Sequence, residues 1–263
     1  MRLSRGRLVL AALVLALASA SAGASAARPP VAVSASPAHV ELAGSARTTV
    51  RIRNSGGERV VLDVTRAGFA LDLRGRPKIV AQARSPRSAA AWLGLRPRAL
   101  ALAPAGSAEV TITSHVPAAA EPGDHDALVL LTSRRRVKGG GVAVRMRMGI
   151  VVVVRAPGTV VRRVELDRLH VARLGRVRLL ELGMRNRGNV TESIARGAAT
   201  LSLFRAGRRV ARLQAEPRDL RPRTAGVLRF LYRGPARGPA TARVEVEPDD
   251  SGRDLWRRFR VRL

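Results

Sequence analysis

The sequence contains no cysteine among its 263 residues. Disulfide bridges, cysteine nucleophiles and zinc sites with thiolate ligands are therefore excluded. Aromatic residues are also scarce, at 3%, whereas hydrophobic residues make up 46% of the chain. The core must then be built mostly from Val, Leu, Ala and Ile, and the β-branched members of this set favour strands.

Lysine is nearly absent as well, since Lys78 and Lys138 are the two lysines among 48 basic residues. The formal net charge is +29, and three of these charges lie in the first 26 residues, which leaves +26 for the remainder. A charge of this size attracts polyanions and releases their counterions. Arginine in place of lysine, together with abundant alanine, is also typical of a GC-rich genome. A purely compositional origin of the charge is therefore the alternative.

The N-terminus has the pattern of a secretory signal peptide. Arginines at positions 2, 5 and 7 precede an apolar run from Leu8 to Leu17, and Ala24-Ser25-Ala26 matches a small-residue cleavage site. The run is shorter than the roughly 18 residues of a membrane span. We therefore predict a cleaved segment 1–26, a mature chain without an integral membrane segment, and a location outside the cell or in its envelope. Export also argues against nucleic acid as a physiological partner.

Period-two alternation of apolar and polar residues dominates the chain. In Ala46–Arg53 one face carries Ala, Thr, Val and Ile and the other carries Thr and Arg, which predicts a half-buried strand. The segment 54–57, Asn-Ser-Gly-Gly, favours a turn, and a second alternating strand begins at Val60. The pattern predicts a hairpin between these two strands.

The segment Gly141–Arg155 predicts the longest strand. One face is apolar throughout, whereas the other changes from arginine to valine toward the end, as expected for a strand that enters a domain junction. Ala156-Pro157-Gly158 then predicts a break. We place the domain boundary there, giving a first domain at 27–157 and a second at 158–263.

The second domain also has short alternating segments separated by turn residues. The predicted strands are Val160–Val171, Val177–Asn186, Ala198–Phe204, Val227–Tyr232, Ala242–Val246 and Trp256–Leu263, with a hairpin at Arg205–Arg208. Short strands at turn intervals predict an all-β fold of two immunoglobulin-like β-sandwiches. Both domains also bring an early strand to Arg-Asn-x-Gly, at 53–56 and 185–188, which suggests the same early hairpin in each.

Three stretches of 31–157 carry a family resemblance: SASPAHVEL (34–42), VRIRNSGGERVVLDV (50–64), and WLGLRP (92–97) followed by LALAPAGSAEVTITSHVPAAAEPGDHDALVLLTS (100–133). They resemble the immunoglobulin-like domains of periplasmic pilus chaperones and, more closely, bacterial cell-surface proteins of the WxL-interacting kind. The latter resemblance implies a peptidoglycan-binding first domain. In the second domain, VRLLELGMRNRGNVTES (177–193) resembles the second module of that family.

The resemblance to pilus chaperones also implies a mode of binding. Those proteins anchor a subunit's carboxylate with a cleft Arg and Lys and pair it with a long strand of alternating apolar residues. The corresponding strand here is Val142–Val154, preceded by a basic, glycine-rich hairpin. The candidate ligand-binding residues are Arg134, Arg135, Arg136, Lys138, Val142, Val144 and Met146. A solvated loop that binds nothing is the alternative for the basic cluster.

Two further positions admit both a structural and a functional interpretation. Asp124-His125-Asp126 follows Pro122-Gly123, which favours a turn before the apolar run 127–131, with a metal site as the alternative. The resemblance also implies a turn here. Trp92 is interpreted as a sandwich core residue, with a sugar-stacking platform as the alternative.

Neither a nucleotide-binding loop nor a nucleophile elbow is present, so we predict no catalytic residue, no metal and no cofactor. The sequence thus predicts an exported, non-enzymatic envelope protein that binds cell-wall polymer, either peptidoglycan or an anionic glycopolymer, and/or a surface protein. The alternative is a periplasmic-chaperone-like adaptor that binds secreted or pilus-type subunits by edge-strand addition.

Overall fold

The computed structural model describes residues 29–80, 87–134, 145–248 and 254–263. Strands dominate these segments, which form two β-sandwiches with separate hydrophobic cores. The all-β, immunoglobulin-like prediction is confirmed. Among the described residues, no helix has the length and apolar character needed to cross a membrane.

Within its described residues, the first sandwich has ten strands and a 3₁₀ turn at Ala90–Trp92. Its strands are β1 (Val33–Ser36), β2 (His39–Ala43), β3 (Arg47–Asn54), β4 (Val60–Leu71), β5 (Pro77–Val80), β6 (Leu93–Arg96), β7 (Ala99–Leu102), β8 (Ser107–Ser114), β9 (Gly123–Ser133) and β10 (Arg147–Ala156). One sheet has the order β1-β3-β8-β6 and the other β2-β10-β9-β4-β5, with β7 also paired to β4. Alternate residues of both sheets, such as Ile52, Ile112 and Ile150, fill the space between them and are fully buried.

The second sandwich is built from nine strands in the part of the chain that the structure describes. They are β11 (Val164–Leu174), β12 (Val177–Asn186), β13 (Glu192–Ile194), β14 (Ala199–Arg205), β15 (Arg208–Gln214), β16 (Arg218–Leu220), β17 (Ala225–Tyr232), β18 (Pro239–Val246) and β19 (Leu255–Arg262). The sheet β11-β12-β17 faces the sheet β15-β14-β18-β19, and β13 pairs with β16. The buried side chains of Leu180, Leu201 and Phe230 belong to its core.

The predicted hairpin between β3 and β4 is wrong. Strand β3 pairs with β1 and β8, whereas β4 pairs with β5, β7 and β9 in the opposite sheet. Asn54 makes the corner instead: its fully buried amide donates to the carbonyls of Glu58 (2.7 Å) and Ala103 (3.1 Å). Its Oδ1 accepts from the Gly56 amide (3.0 Å). The Asn54 side chain thus makes hydrogen bonds with main-chain groups that would otherwise be buried without a partner. These hydrogen bonds allow the chain to pass from one sheet to the other.

The same corner occurs in the second sandwich. Asn186, at the end of β12, is also fully buried, donates to the carbonyls of Val190 (2.8 Å) and Leu220 (2.9 Å), and accepts from the Gly188 amide (2.8 Å). Both glycines are required by close packing, because an added Cβ would lie 2.7 Å from the Ala32 amide nitrogen at Gly56 and 2.3 Å from the Val161 carbonyl at Gly188. The Arg-Asn-x-Gly similarity therefore marks a structural repeat, although not a hairpin.

Candidate binding edge and cleft

Strand β10 has one side that is only partly covered. It pairs with β9 along its whole length, from Arg147 to Ala156. On its other side it pairs in parallel with β2, but only over Val151–Arg155. Strand β2 begins there because the chain switches sheets after β1, which pairs with β3. The segment 147–150 therefore has one open side among the described residues, which we call the open edge.

The main-chain hydrogen bonds define which groups face the open edge. The Val151 amide donates to Ala38 on the β2 side (3.0 Å), whereas the Met146 carbonyl accepts from Ser133 on the β9 side (2.9 Å). Main-chain groups of successive strand residues point to opposite sides. The amides and carbonyls of Arg147 and Gly149 therefore point to the open edge, and those of Met148 and Ile150 point to β9.

The side chains of the open edge and of the two residues before it, 145 and 146, alternate as the sequence predicted. Met146 and Met148 are partly buried against the first core, and Ile150 is fully buried. Arg145 and Arg147 are exposed. Arg135, Arg136, Lys138, Val142 and Val144, which belong to the same set of candidate residues, lie outside the described residues.

Arg134, the remaining candidate, lies just after β9. Its guanidinium contacts Asp63 on β4 through Nε (2.9 Å) and Nη2 (2.8 Å), and its amide donates to Val61 (2.9 Å). These hydrogen bonds hold the pKa of Asp63 below its usual range. The charge of Arg134 is thus matched by a carboxylate of its own sheet, although the guanidinium stays largely exposed.

Asp124 and Asp126 lie within β9 rather than in a turn, which corrects the sequence prediction. The chain bends at Pro122, and β9 already begins at Gly123. Asp124 is buried and accepts hydrogen bonds from Arg155 (2.7 and 3.2 Å) and from the Thr191 amide (2.7 Å). These polar residues occur in a buried strand because cations and amides from both sandwiches satisfy their oxygens.

Gly123 allows the two sandwiches to approach closely at this point. Its φ is +104°, and an added Cβ would lie 2.1 Å from the Asn189 carbonyl of the second sandwich. The same carbonyl accepts from the Asp124 amide (2.8 Å), and the Asn189 side chain donates to Pro122 (3.1 Å). The PGD sequence therefore forms a joint between the sandwiches.

Asp126 forms the second polar contact of this joint. Its carboxylate pairs with Arg221 of the second sandwich, and both side chains are buried. Burial raises the pKa of Asp126 to about 6, against the opposing effect of Arg221. The Arg221 guanidinium also lies over the Phe69 ring, 4.6 Å from its centroid. Arg221 therefore ties two strands of the first sandwich to the second.

His125 points to the opposite face of β9 from its two aspartate neighbours, as alternation requires. Its ring lies 4.3 Å from that of Trp92, and its Nε2 is 2.8 Å from the Glu121 carbonyl. Burial lowers the pKa of His125. Trp92 is partly buried against the first core, which confirms its interpretation as a core residue. No group of three potential metal ligands is found among the described residues.

A cleft lies between the two sandwiches, next to β10. Its cavity of about 330 Å³ is lined by apolar residues of the first sandwich, including Phe69 and Val151, and by basic residues, including Arg74, Arg218 and Arg229. The β4–β5 hairpin closes one side, where the Val227 amide donates to Leu73 (2.9 Å). Sequence reasoning missed these arginines because they are dispersed along the chain and only the packing of the sandwiches assembles them.

No protein-family model and no curated protein matches the sequence. Solved structures match the fold. The class 5 fimbriae chaperone CfaA has a TM-score of 0.50 at 10% sequence identity, over 86% of this chain and 98% of that chain. A chaperone–tip adhesin complex of CFA/I fimbriae biogenesis gives the same values. The E. coli chaperone DraB gives a TM-score of 0.46 at 13% identity, over 89% and 99%. The chain therefore has the immunoglobulin-like β-sandwich fold of the pilus chaperones.

Proposed function

We propose that the chain is an exported, non-enzymatic adaptor that holds an extended segment of another exported protein along the open edge of β10. The observation that supports this most strongly is the orientation of the main chain at Arg147 and Gly149. Their outward-pointing donors and acceptors have no partner among the described residues and lie beside a row of apolar side chains. An extended peptide placed there adds a strand to the sheet β2-β10-β9-β4-β5. This is the alternative function that the sequence predicted.

The open edge has the two components that strand addition requires. Main-chain hydrogen bonds to Arg147 and Gly149 supply affinity for any extended chain, and pockets for alternate side chains supply specificity. Met146 and Met148 offer a flexible apolar surface on which different side chains can pack. Arg145 and Arg147 keep an empty edge from pairing with a second copy, because the like charges would repel each other.

The cleft extends the proposed site beyond the open edge. Arg74 and Arg218 lie beside apolar wall residues, where their guanidinium groups can bind the carboxylate at the end of a bound segment. That carboxylate competes with acidic groups of the chain, because Glu216 and Asp219 also line the cleft and Arg74 pairs with Glu181 (3.6 Å). The named solved structures include a complex of a chaperone with a tip adhesin. That partner class, an exported subunit, is what we propose for this chain.

The predicted division of the chain is part of this proposal. We propose a leader at 1–26, a first domain at 27–157 and a second domain at 158–263. We also propose that the protein acts outside the cell or in its envelope. The sequence first predicted binding of peptidoglycan or another cell-wall polymer, and the likeness to WxL-interacting proteins implied it for the first domain. For the first domain this function has less support than strand addition. Two similar solved structures with a TM-score of 0.50 are named for a fimbriae chaperone and for a chaperone–tip adhesin complex.

The experiment that tests strand addition is co-export with the exported proteins encoded beside this chain, followed by isolation of the complex. Replacing Gly149 with proline removes the main-chain N–H of this residue, which points to the open edge. The hydrogen bonds between β10 and β9 stay intact. We expect Gly149→Pro to reduce recovery of the complex at least about tenfold, as loss of a main-chain hydrogen bond and steric hindrance predict. Gly149→Ala is the matched control, because an added Cβ meets only ordinary contacts with Leu128 and Leu130.

Two results would contradict the proposal. One is a complex recovered equally well with Gly149→Pro, measured on protein whose thermal unfolding matches that of Gly149→Ala. The other is the failure of every co-exported neighbour to form a complex with the unaltered chain.

A further inference from the structure

The outer face of the sheet β15-β14-β18-β19 has an unusual arrangement of arginines. On β19 the residues alternate, so Leu255, Phe259 and Val261 pack against the second core. The residues that face outward on this strand are Trp256, Arg258, Arg260 and Arg262. Two strand residues span about 6.6 Å, so the three arginines form a row about 13 Å long.

A second row of arginines crosses the sheet at right angles to the first. Arg258 is directly opposite Arg243 on β18, Arg243 is opposite Ser202 on β14, and Ser202 is opposite Arg212 on β15. Like charges directly opposite each other on neighbouring strands are destabilising. Among the described residues, Glu245 is the carboxylate that pairs with this row, through Arg243 (2.8 Å). The face therefore carries an excess of positive charge that an anionic ligand would neutralise.

The two rows meet at a groove. Its cavity of about 610 Å³ is lined by the β14–β15 turn, by Phe204, and by Arg205, Arg258 and Arg260. Trp256 does not line this cavity, but it lies on the same face two residues before Arg258. It is 63% exposed, and the guanidinium of Arg243, a lining residue, lies 5.9 Å from its ring centroid. A large exposed indole is costly for a solvated surface and is suited to stacking on the face of a flat ligand.

Protection of a sheet edge does not explain this arrangement. Arginines on β19 keep an edge strand from pairing with other chains. Arg243, however, lies on the central strand β18, which is paired on both sides. An exposed Trp256 on the edge strand works against such protection. A ligand explains both features.

We propose that this face binds a linear acidic polysaccharide, with the arginines holding its carboxylates in bidentate contacts and Trp256 stacking on a sugar ring. Arginine is suited to this role because its planar fork matches a carboxylate. Single-stranded nucleic acid fits less well, because its bases need several stacking side chains in succession. This site lies on the second sandwich and does not depend on strand addition at β10.

Binding of polygalacturonate to the full purified protein tests the proposal. Tryptophan fluorescence is a direct readout, because the chain has two tryptophans and Trp92 is partly buried in the first sandwich. We expect polygalacturonate to change the emission of Trp256. Fully methyl-esterified polygalacturonate, which lacks the charges, should have no effect on this emission. Trp256→Phe should abolish the signal.

Charge-matched variants separate this face from the net charge of the protein. We expect Arg258→Gln/Arg260→Gln to weaken binding at least about tenfold, as loss of two charge-assisted contacts predicts. Arg176→Gln/Arg196→Gln removes the same charge from exposed positions elsewhere in the second sandwich and should change affinity less than about twofold. All four arginines are exposed, so the variants should fold.

Three results would overturn the proposal: equal loss of binding in the two double variants, equal binding of the methyl ester, or tighter binding of an oligothymidylate than of polygalacturonate. The result is independent of the proposed adaptor function. Arg258→Gln/Arg260→Gln should still form the complex with the exported partner, and Gly149→Pro should still bind polygalacturonate.

Discussion

At the scale of single residues, Asp124 shows how one carboxylate can connect three parts of the chain. It lies on β9, contacts Arg155 on β10, and accepts from the Thr191 amide in the second sandwich. Burial by itself would raise its pKa, but the hydrogen bonds from Arg155 and Thr191 outweigh that effect and hold the pKa of Asp124 below its usual range. The ionised form of Asp124 is therefore more stable, relative to the protonated form, in the folded protein than in the unfolded chain.

We predict that Asp124→Asn lowers the free energy of unfolding at pH 7 by about 2 kcal/mol, the typical value of hydrogen bonds to a charged group. Because the pKa is lowered in the folded state, this stabilisation is present above the usual pKa of an aspartate, about 4. It is lost as the pH falls through the lower pKa of the folded state. Urea unfolding at pH 7 and at pH 3 measures the difference. An equal loss at both pH values would show that the charge of Asp124 is not responsible.

The two corner asparagines show what a short motif can and cannot reveal. The similarity of Arg-Asn-x-Gly at 53–56 and 185–188 identified Asn54 and Asn186 as equivalent positions. The expected hairpin was wrong in the first sandwich because Asn, Ser and Gly favour a reversal of the chain without specifying which strand follows as a partner. Burial of the amide, with its hydrogen bonds to distant carbonyls, decides that outcome.

At the scale of elements, the open edge of β10 makes a specific prediction about amide exchange. The amides of Arg147 and Gly149 face away from β9, whereas those of Met148 and Ile150 are within its ladder. We expect the second pair to exchange about 100-fold more slowly, since their exchange requires the sheet to open. Hydrogen exchange followed by NMR measures all four amides in the free protein.

A bound partner segment should protect the other pair. The amides of Arg147 and Gly149 would then exchange more slowly in the complex than in the free protein. The exchange rates of Met148 and Ile150 would not change. Uniform protection of all four residues in the free chain would contradict the open edge, since it would require a partner strand already in place.

Strand positions were predicted better than strand partners. Val177–Asn186 was predicted with the bounds of β12, and the turn at Arg205–Arg208 connects β14 and β15 as predicted. Alternation identifies strands because a half-buried strand must place apolar residues at every second position. It contains no information on partners, so the sheet switch between β1 and β2, which leaves the edge of β10 open, could not be predicted.

At the scale of the whole molecule, the contact of Asp126 with Arg221 connects the two sandwiches. The pair is buried, so each charge depends on the other for its solvation. Burial raises the pKa of Asp126 to about 6, so the carboxylate is costly to keep ionised at higher pH. The joint is therefore stabilised only while both residues are present.

We predict that Arg221→Gln lowers the free energy of unfolding by about 3–5 kcal/mol at pH 8, because it leaves a buried carboxylate without a cation. A carboxyl whose pKa is raised in the folded state stabilises the fold at low pH and loses that contribution as the pH rises through the folded pKa. The loss should therefore be smaller at pH 5 than at pH 8. Denaturant unfolding at the two pH values measures it.

The double variant Asp126→Asn/Arg221→Gln is the control for this pair. It removes both charges, so we expect it to be more stable than Arg221→Gln alone and to lose the difference between pH 5 and pH 8. A double variant as unstable as the single one would assign the effect of Arg221 to its contact with Phe69 instead.

The sequence by itself determined the all-β class, most strand positions, the core of aliphatic residues and the equivalence of the two asparagine corners. These features follow from local alternation and turn chemistry, which act within a few residues of each other. The tertiary structure alone decided the rest. Asp124, Asp126 and Arg221 form a joint, and the cleft arginines come together, only when the two sandwiches pack against each other. The arginine rows of the second sheet arise from strand register. Long-range pairing of this kind depends on which surfaces bury each other, and no local pattern specifies it.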